Sequence, residues 1–266
     1  MKDRLRKIFL LRFLLESWRA LRRHYGLNFG WLKGVSACTQ FYREFRAFQM
    51  MQPKNPHFTL NPDNLYPCLL DRTDTTPLEP VYFVQDTWFA HRLSQVRPLQ
   101  HVDVGSSAKT MALVAQFVPV TMVDIRPVVL KAVDFSFREG SILSLPFADS
   151  SVASLSSLCV VEHIGLGRYG DPFDPWGSEK AWQELLRVLQ PGGHLYISVP
   201  IDSANHVYYN AHRAFTRQYV LQLSAGLELL NEQYLYGYDV QPHYAPERGF
   251  GTGMFHFRKP PANTPA

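Results

Sequence analysis

Two carboxylates and a glycine carry the most chemistry in this chain. Asp103-Val-Gly105-Ser106-Ser107 closes one apolar run, and Asp124, 21 residues beyond Asp103, closes another in Met122-Val-Asp-Ile-Arg126. A glycine directly after a strand lets backbone approach a ligand closely. A lone acid ending the next strand can accept the paired hydroxyls of a ribose. Strand, tight turn, helix and acid-tipped strand together have the layout of a nucleoside-binding crossover. The competing reading of Asp124 is a strand-end cap or a surface acid.

Further candidates follow the next long apolar run. His163 stands where ligands bind in parallel sheets, at a strand's carboxyl end. It can act as a general base toward a hydroxyl or amine, or simply bond to a neighbouring carbonyl. Gly165, Gly167 and Gly170, with Arg168, Tyr169, Asp171, Asp174 and Trp176, form a long loop pinned by Pro172 and Pro175. Long loops in compact domains are usually functional, and a pinned surface loop is the alternative. His212 and Arg213 can reach the same mouth. Arg213 suits a phosphate or carboxylate, or is merely solvated. No H-E-x-x-H spacing or Gly-x-Ser-x-Gly elbow occurs, so neither a metal site nor a serine hydrolase is expected.

These residues need strands and helices to hold them. Strands are predicted at His101–Val104, Val118–Val123, Val152–Val161, His194–Val199 and Gly251–Arg258. Helices are predicted at Thr87–Val96, capped by Asp86, and at Ala108–Phe117, Glu179–Leu189 and Arg217–Ser224, with Ser178 and Thr216 as N-caps. Pro191-Gly-Gly193 should stop the third of these helices. The alternation implies a parallel sheet covered by helices on both faces.

The bulk numbers agree with an α/β core plus an appendage. The chain has 266 residues, 46% of them hydrophobic. No apolar run reaches the ~20 residues of a membrane span. Cys38, Cys68 and Cys159 lack metal or disulfide spacing, so a reducing, cytoplasmic setting is the expectation. Residues 1–25 carry eight bases against two acids, +6, while the whole chain is +4, leaving −2 for the rest. A nucleic-acid-binding body is therefore not expected. In that segment Leu10, Leu14, Trp18, Leu21 and Tyr25 recur at helical spacing opposite Arg12, Glu16, Arg19 and Arg23. The pattern fits a helix on an anionic membrane or a partner protein, or one packed on its own domain. Arg12 interrupts the apolar stretch, which disfavours a signal peptide. Residues 26–97 read as a proline-rich cap, 98–259 as the core, and 260–266 as a loose tail.

Glu162-His-Ile164, Leu145-Pro-Phe147 with Asp149, and Glu184-Leu-Leu-Arg-Val-Leu-Gln-Pro-Gly-Gly193 continuing to Pro200 resemble class I S-adenosylmethionine-dependent methyltransferases. The resemblance covers about residues 98–258. The longer strings Tyr82–Asp86, His101–Ser106, Glu162–Pro172 and Asn210–Arg213 look like a narrower branch of methyltransferase-like proteins of unassigned function, some linked to surface-polysaccharide genes.

The resemblance implies a Rossmann-like, seven-stranded, mostly parallel sheet with its last strand antiparallel. It implies S-adenosylmethionine as cofactor. Asp103, Gly105 and Ser106 would surround the methionine part beside free N–H groups of the next helix. Asp124 and Ile125 would hold the ribose. Ser141, Ile142 and Leu143 would lie along the adenine, and Cys159 and Val160 beside the sulfonium. His163 is the candidate base. Arg168, Tyr169, Asp171, His212 and Arg213 are the candidate contacts for a small-molecule or glycan acceptor.

Two positions depart from the family pattern. Gly105 is followed by Ser106-Ser107-Ala-Lys109 instead of further glycines, and Ser141 replaces the acid expected on the adenine amine. They keep open a non-catalytic protein of the same fold that has lost the cofactor. A nicotinamide dehydrogenase is the third reading, weakened by the missing third glycine.

Overall fold

The computed structural model describes residues 31–51, 57, 58, 60, 65–69 and 71–262. The predicted basic helix over 1–25 and the last four residues of the tail lie outside them. The chain divides into two units, residues 1–77 and 78–266. In the first, α1 (Trp31–Met51) carries an ion pair from Glu44 to Arg72 at 3.0 Å.

The second unit is built on one eight-stranded sheet. Its strands are β1 (His101–Val104), β2 (Val120–Asp124), β3 (Phe135–Glu139), β4 (Val152–Leu158), β5 (Leu189–Ile201), β8 (Glu228–Tyr236), β9 (Asp239–Gln241) and β10 (Gly251–Arg258). The order is β3-β2-β1-β4-β5-β10-β8-β9. The first five neighbours pair in parallel, and β10 lies antiparallel between β5 and β8. This is the expected Rossmann-like α/β sheet. It gains an eighth strand, because Gly237 at φ 65° turns β8 back into β9. A separate hairpin, β6 (His206–Tyr208) with β7 (His212–Ala214), stands beside it.

Helices cover both faces, and strand alternation shows why. In β5, Leu195, Ile197 and Val199 enter a cluster with Ala181, Trp182, Leu185 and Val188 of α4 (Gly177–Val188) and Val220 of α5 (Arg217–Leu223). Tyr196 points the other way, toward Trp88, Phe89 and Leu93 of α2 (Pro80–Val96) and Met111 and Val114 of α3 (Ala108–Val114). Each fully buried large apolar side chain contributes about 1.5–3 kcal/mol, so these two layers supply the main driving force.

Several expected boundaries move for identifiable reasons. The helix predicted from Thr87 starts at Pro80, since proline at the first position needs no N–H partner. Its cap is Glu79, accepting from the Tyr82 N–H at 2.6 Å, not Asp86. Because α2 packs on the sheet, it belongs with the core, and the division falls at 77/78, where the sequence reading carried the cap to 97. Ser178 does not cap α4. It is buried and donates to the Val161 carbonyl at 2.6 Å. Thr216 does cap α5, accepting from Tyr219 N–H. β5 runs straight through Pro191-Gly-Gly193 with a register shift against β4. β4 ends at Leu158, three residues early, because Cys159 takes φ 53° and the chain enters a 3-10 turn over Val161–His163.

Candidate functional site

A cavity of about 680 Å³ opens at the carboxyl ends of β1, β2, β4 and β5. Gly105, Ser106, Asp124, Ile125, Ser141, Ile142, Leu143, Cys159, Val160, His163, Arg168, Tyr169, Asp171 and His212 line it. Fourteen of the sixteen candidate residues thus share one space. Asp103 and Arg213 do not.

Asp103 is fully buried behind the turn. Its Oδ1 accepts from the hydroxyls of Ser106 (2.6 Å) and Ser156 (2.5 Å), and Oδ2 from the Ser106 N–H (3.1 Å). Having donated, the Ser156 hydroxyl must accept from Nε2–H of His101 at 2.8 Å, which leaves His101 Nδ1 to accept from Ser154 at 2.7 Å. Burial raises the Asp103 carboxyl to about 6 against these donors, and lowers the His101 imidazole to about 3. Asp103 therefore shapes the turn and touches no ligand space. Ser106 Oγ also accepts from the Leu158 N–H at 2.9 Å, tying the turn to β4.

Arg213 is likewise a clamp. Its guanidinium donates to the carbonyls of Ile164 (2.6 Å), Asp174 (3.1 Å) and Pro175 (3.3 Å) and to Ser178 Oγ (3.0 Å). It holds both ends of the 164–178 loop and is 8% exposed, so it is not free for a substrate anion. Asp171 fixes the same loop from within, accepting from Gly165 N–H at 2.6 Å and Tyr169 N–H at 3.3 Å.

Asp124 leaves one carboxylate oxygen unengaged among the described residues. Oδ1 accepts from the Arg126 N–H at 2.8 Å, with the Arg126 guanidinium at 3.4 Å, and no donor among the described residues takes Oδ2. Ser141 Oγ accepts from Leu143 N–H at 3.2 Å, which leaves its own proton to donate. Gly105 has φ 73°, and a Cβ there would lie 2.9 Å from Val160 Cγ1.

His163 is oriented by its neighbours. Nδ1 lies 2.7 Å from the Ala211 carbonyl, so that nitrogen carries the proton and Nε2 is the acceptor. Burial, with Arg168 and His212 nearby, lowers its pKa to about 4, and the imidazole is neutral at pH 7. Tyr169 meets it edge-on at 5.6 Å, and His212 stacks on Phe250 at 5.3 Å. Arg126 and Arg168 both lie over the Tyr169 ring, at 4.8 and 5.2 Å.

The fold has solved counterparts. The N-methyltransferase NodS from Bradyrhizobium japonicum, complexed with S-adenosylhomocysteine, superposes with TM-score 0.50 at 16% identity, covering 68% of this chain and 89% of its own. A geranyl diphosphate methyltransferase in complex with S-adenosylmethionine gives 0.50 at 13%, covering 66% and 84%. The (4+2)-cyclase SpnF gives 0.50 at 15%, covering 66% and 81%. The core has the class I S-adenosylmethionine-dependent methyltransferase fold. A family described as Caenorhabditis protein of unknown function, DUF268, matches residues 141–237. No curated protein matches the sequence. Since a cyclase shares this methyltransferase fold, the chemistry has to be read from the cavity itself.

Glu79, Tyr82, Arg126, Glu162 and Phe250 are among the lining residues that the sequence does not single out as site candidates. Glu162 was legible as the neighbour of His163. Glu79, Tyr82 and Phe250 come from helix and loop segments that no crossover motif marks. The Glu184 and Arg187 side chains of the Glu-Leu-Leu-Arg string lie away from the cavity. Glu184 accepts from Leu145 N–H at 2.7 Å and pairs with Arg187, which reaches Asp149 at 2.6 Å. That cluster fastens α4 to the segment leading from Ser141. Among the described residues, no group of three His, Cys, Asp or Glu could hold a metal ion, and no helix is long and apolar enough to cross a membrane.

Proposed function

We propose that the cavity binds S-adenosylmethionine and that the protein methylates a small-molecule acceptor. The observation that carries this reading is the meeting of Asp124, with one carboxylate oxygen unengaged, and Gly105, whose wall has no room for a Cβ, in one cavity of a methyltransferase fold. Asp124 would hold the ribose hydroxyls. Charge-assisted bonds of this kind are worth roughly 1.5–3 kcal/mol each. The turn at Gly105–Ser106 would take the methionine part, Ser141–Leu143 the adenine, and Cys159–Val160 the sulfonium end. When bound, the cofactor supplies an electrophilic methyl carbon and a good leaving group.

The chain's own work is to orient the acceptor and exclude water. His163 presents Nε2, fixed by the Nδ1–H bond to Ala211, to the acceptor's O–H or N–H. Arg168, Tyr169, Asp171 and His212 enclose the acceptor from the loop side. Aromatic faces beside guanidinium groups suit a saccharide, and a surface-polysaccharide acceptor is the finer form of this reading. The +6 segment of residues 1–25 would then bring the enzyme to an anionic membrane surface. Liposome flotation of the full chain against one lacking residues 1–25 tests that part. Equal partitioning defeats it.

A second reading, a non-catalytic binding protein of the same fold, draws on the two departures at Ser106-Ser107 and Ser141. Titration calorimetry with S-adenosylmethionine, S-adenosylhomocysteine and NAD separates the readings. Binding of the first two, weakened at least about tenfold by Asp124→Ala, fits the loss of one charge-assisted bond. No heat with any of them leaves the binding protein, and heat with NAD alone leaves a dehydrogenase.

A further inference from the structure

Glu162 has no task in that reading, yet it lines the cavity. Its side chain is 1% exposed, and Oε2 has no hydrogen-bond partner. Oε1 lies 3.6 Å from His163 Nε2, too far for a hydrogen bond. The carboxyl's own partners are its backbone N–H and the Cys159 thiol, and they leave Oε2 bare, so the ionised form is unfavourable at this depth until a ligand brings it a charge or a donor. Burial pushes the carboxyl up to about 8, outweighing its backbone hydrogen bond, the Arg168 guanidinium and the Cys159 thiol, which all favour the ionised form.

We propose that Glu162 is the cavity's charge discriminator. It stays protonated until a sulfonium enters, then gives up its proton, and so makes the site prefer the sulfonium cofactor to the neutral thioether product. The proposal rests on the cofactor reading above. Its physical basis is that a cation placed a few ångströms from a buried carboxyl favours the ionised form. A thioether has no charge and leaves the proton in place. The surroundings supply no competing switch. His163 and His212 are lowered, chiefly by burial, and are neutral above pH 7. Cys159 and Tyr82, both facing Glu162, are raised, again chiefly by burial. The other charges facing the cavity from α2, β2 and the loop are the carboxylates Glu79, Asp124 and Asp171 and the guanidinium groups of Arg126 and Arg168, with Asp86 behind them on α2.

The test is calorimetry of the full chain with S-adenosylmethionine and S-adenosylhomocysteine, from pH 7 to 9, in two buffers of different ionisation enthalpy. Binding of the sulfonium should release a proton near pH 7 that binding of the thioether does not. The affinity ratio of sulfonium to thioether should rise about fivefold or more between pH 7 and 9, each unit of pKa lowered being worth tenfold. Glu162→Gln should remove both effects and leave thioether affinity nearly unchanged. The ligands' own amines titrate in wild type and variant alike, so the difference between the two belongs to Glu162. A wild-type infrared band of a protonated carboxyl, lost with the sulfonium and kept with the thioether, reads the same event without a variant. A sulfonium-minus-thioether proton count that is the same in wild type and variant, or an unchanged ratio in the variant, overturns the proposal. Failure of both ligands to bind overturns the cofactor reading itself, and this proposal with it.

Discussion

Gly105→Ala separates the two demands the turn makes on its first residue. At φ 73° an alanine pays a left-handed penalty of roughly 1–2 kcal/mol whatever surrounds it. Its Cβ would also sit 2.9 Å from Val160 Cγ1 and 3.4 Å from Cγ2. Relieving an overlap of that size in packed surroundings costs about 1–3 kcal/mol more. Val160→Ala deletes both atoms and leaves only Cβ, at 3.8 Å, an ordinary contact. Gly105→Ala should therefore destabilise the wild type by about 2–5 kcal/mol but the Val160→Ala protein by only about 1–2 kcal/mol. The favourable coupling is about 1–3 kcal/mol. Urea unfolding of the four proteins, followed by tryptophan fluorescence and circular dichroism, measures it. An equal penalty in both backgrounds would refute the claim that Val160 is what forbids a side chain at 105.

Arg213→Met should cost about 2–4 kcal/mol by leaving the buried Ile164 carbonyl and its neighbours unpaired, and should expose the 165–176 loop to limited proteolysis. For Glu162 the folded pKa of about 8 lies above the ordinary 4.5, so its contribution to stability is full below pH 4.5 and is lost as pH rises through 8. Glu162→Gln should thus gain stability relative to wild type between pH 5 and 9, by a few kcal/mol at about 1.4 kcal/mol per unit, as denaturant melts at the two pH values will show. His163 should remain the neutral Nδ1–H tautomer from pH 8 down to about 5 in nitrogen-15 spectra. A titration near 6.5 would contradict its burial. Ser156→Ala removes one of the donors to Asp103 Oδ1 and should raise that carboxyl above about 6, so that the loss of its stability contribution as pH rises from about 4 extends beyond pH 6 in denaturant melts.

The crossover was legible because its signals are local. Apolar runs gave β1 and β10 at their observed bounds, and Asp124 and Gly105 announce themselves by position. What the sequence concealed depends on distant partners. Pro80 reads as a breaker until Glu79 is seen capping the helix it begins. Arg213 reads as a substrate anchor until its four acceptors, 35 to 49 residues away, are in place. Asp103 carries the same charge as Asp124 and stands at a similar strand end, yet three protein donors claim it and only a register argument would show that it faces inward. β3, β8 and β9 were not anticipated. β3 alternates Phe135 and Phe137 with exposed Ser136 and Arg138 but is only five residues long and lies at the sheet edge, while β8 begins among polar residues and lacks a clean two-residue period.

The missing glycines after Gly105 illustrate how a family pattern can be replaced by side-chain bonding. A glycine-rich turn works by letting several residues adopt left-handed backbone. Here only Gly105 does so, and Ser106 and Ser107 remain in ordinary conformations. Their hydroxyls close the turn instead. Ser106 Oγ bridges Asp103 and the Leu158 N–H, and Ser107 Oγ accepts from Thr110 N–H to start α3. The buried His101–Ser156 pair then holds Asp103 in place. The left-handed backbone reappears across the cavity at Cys159, where φ 53° bends the chain from β4 toward Glu162 and His163. Non-glycine residues hold that conformation only where the surroundings over-determine it, and here Ser198 reaches the Cys159 sulfur while the Cys159 N–H is held by the Ser198 carbonyl. Loss of the glycines is therefore not by itself loss of the turn. The serine substitutions move the turn's dependence from backbone freedom to a buried hydrogen-bond chain that ends at the same carboxylate, which ties the site's integrity to the protonation of Asp103.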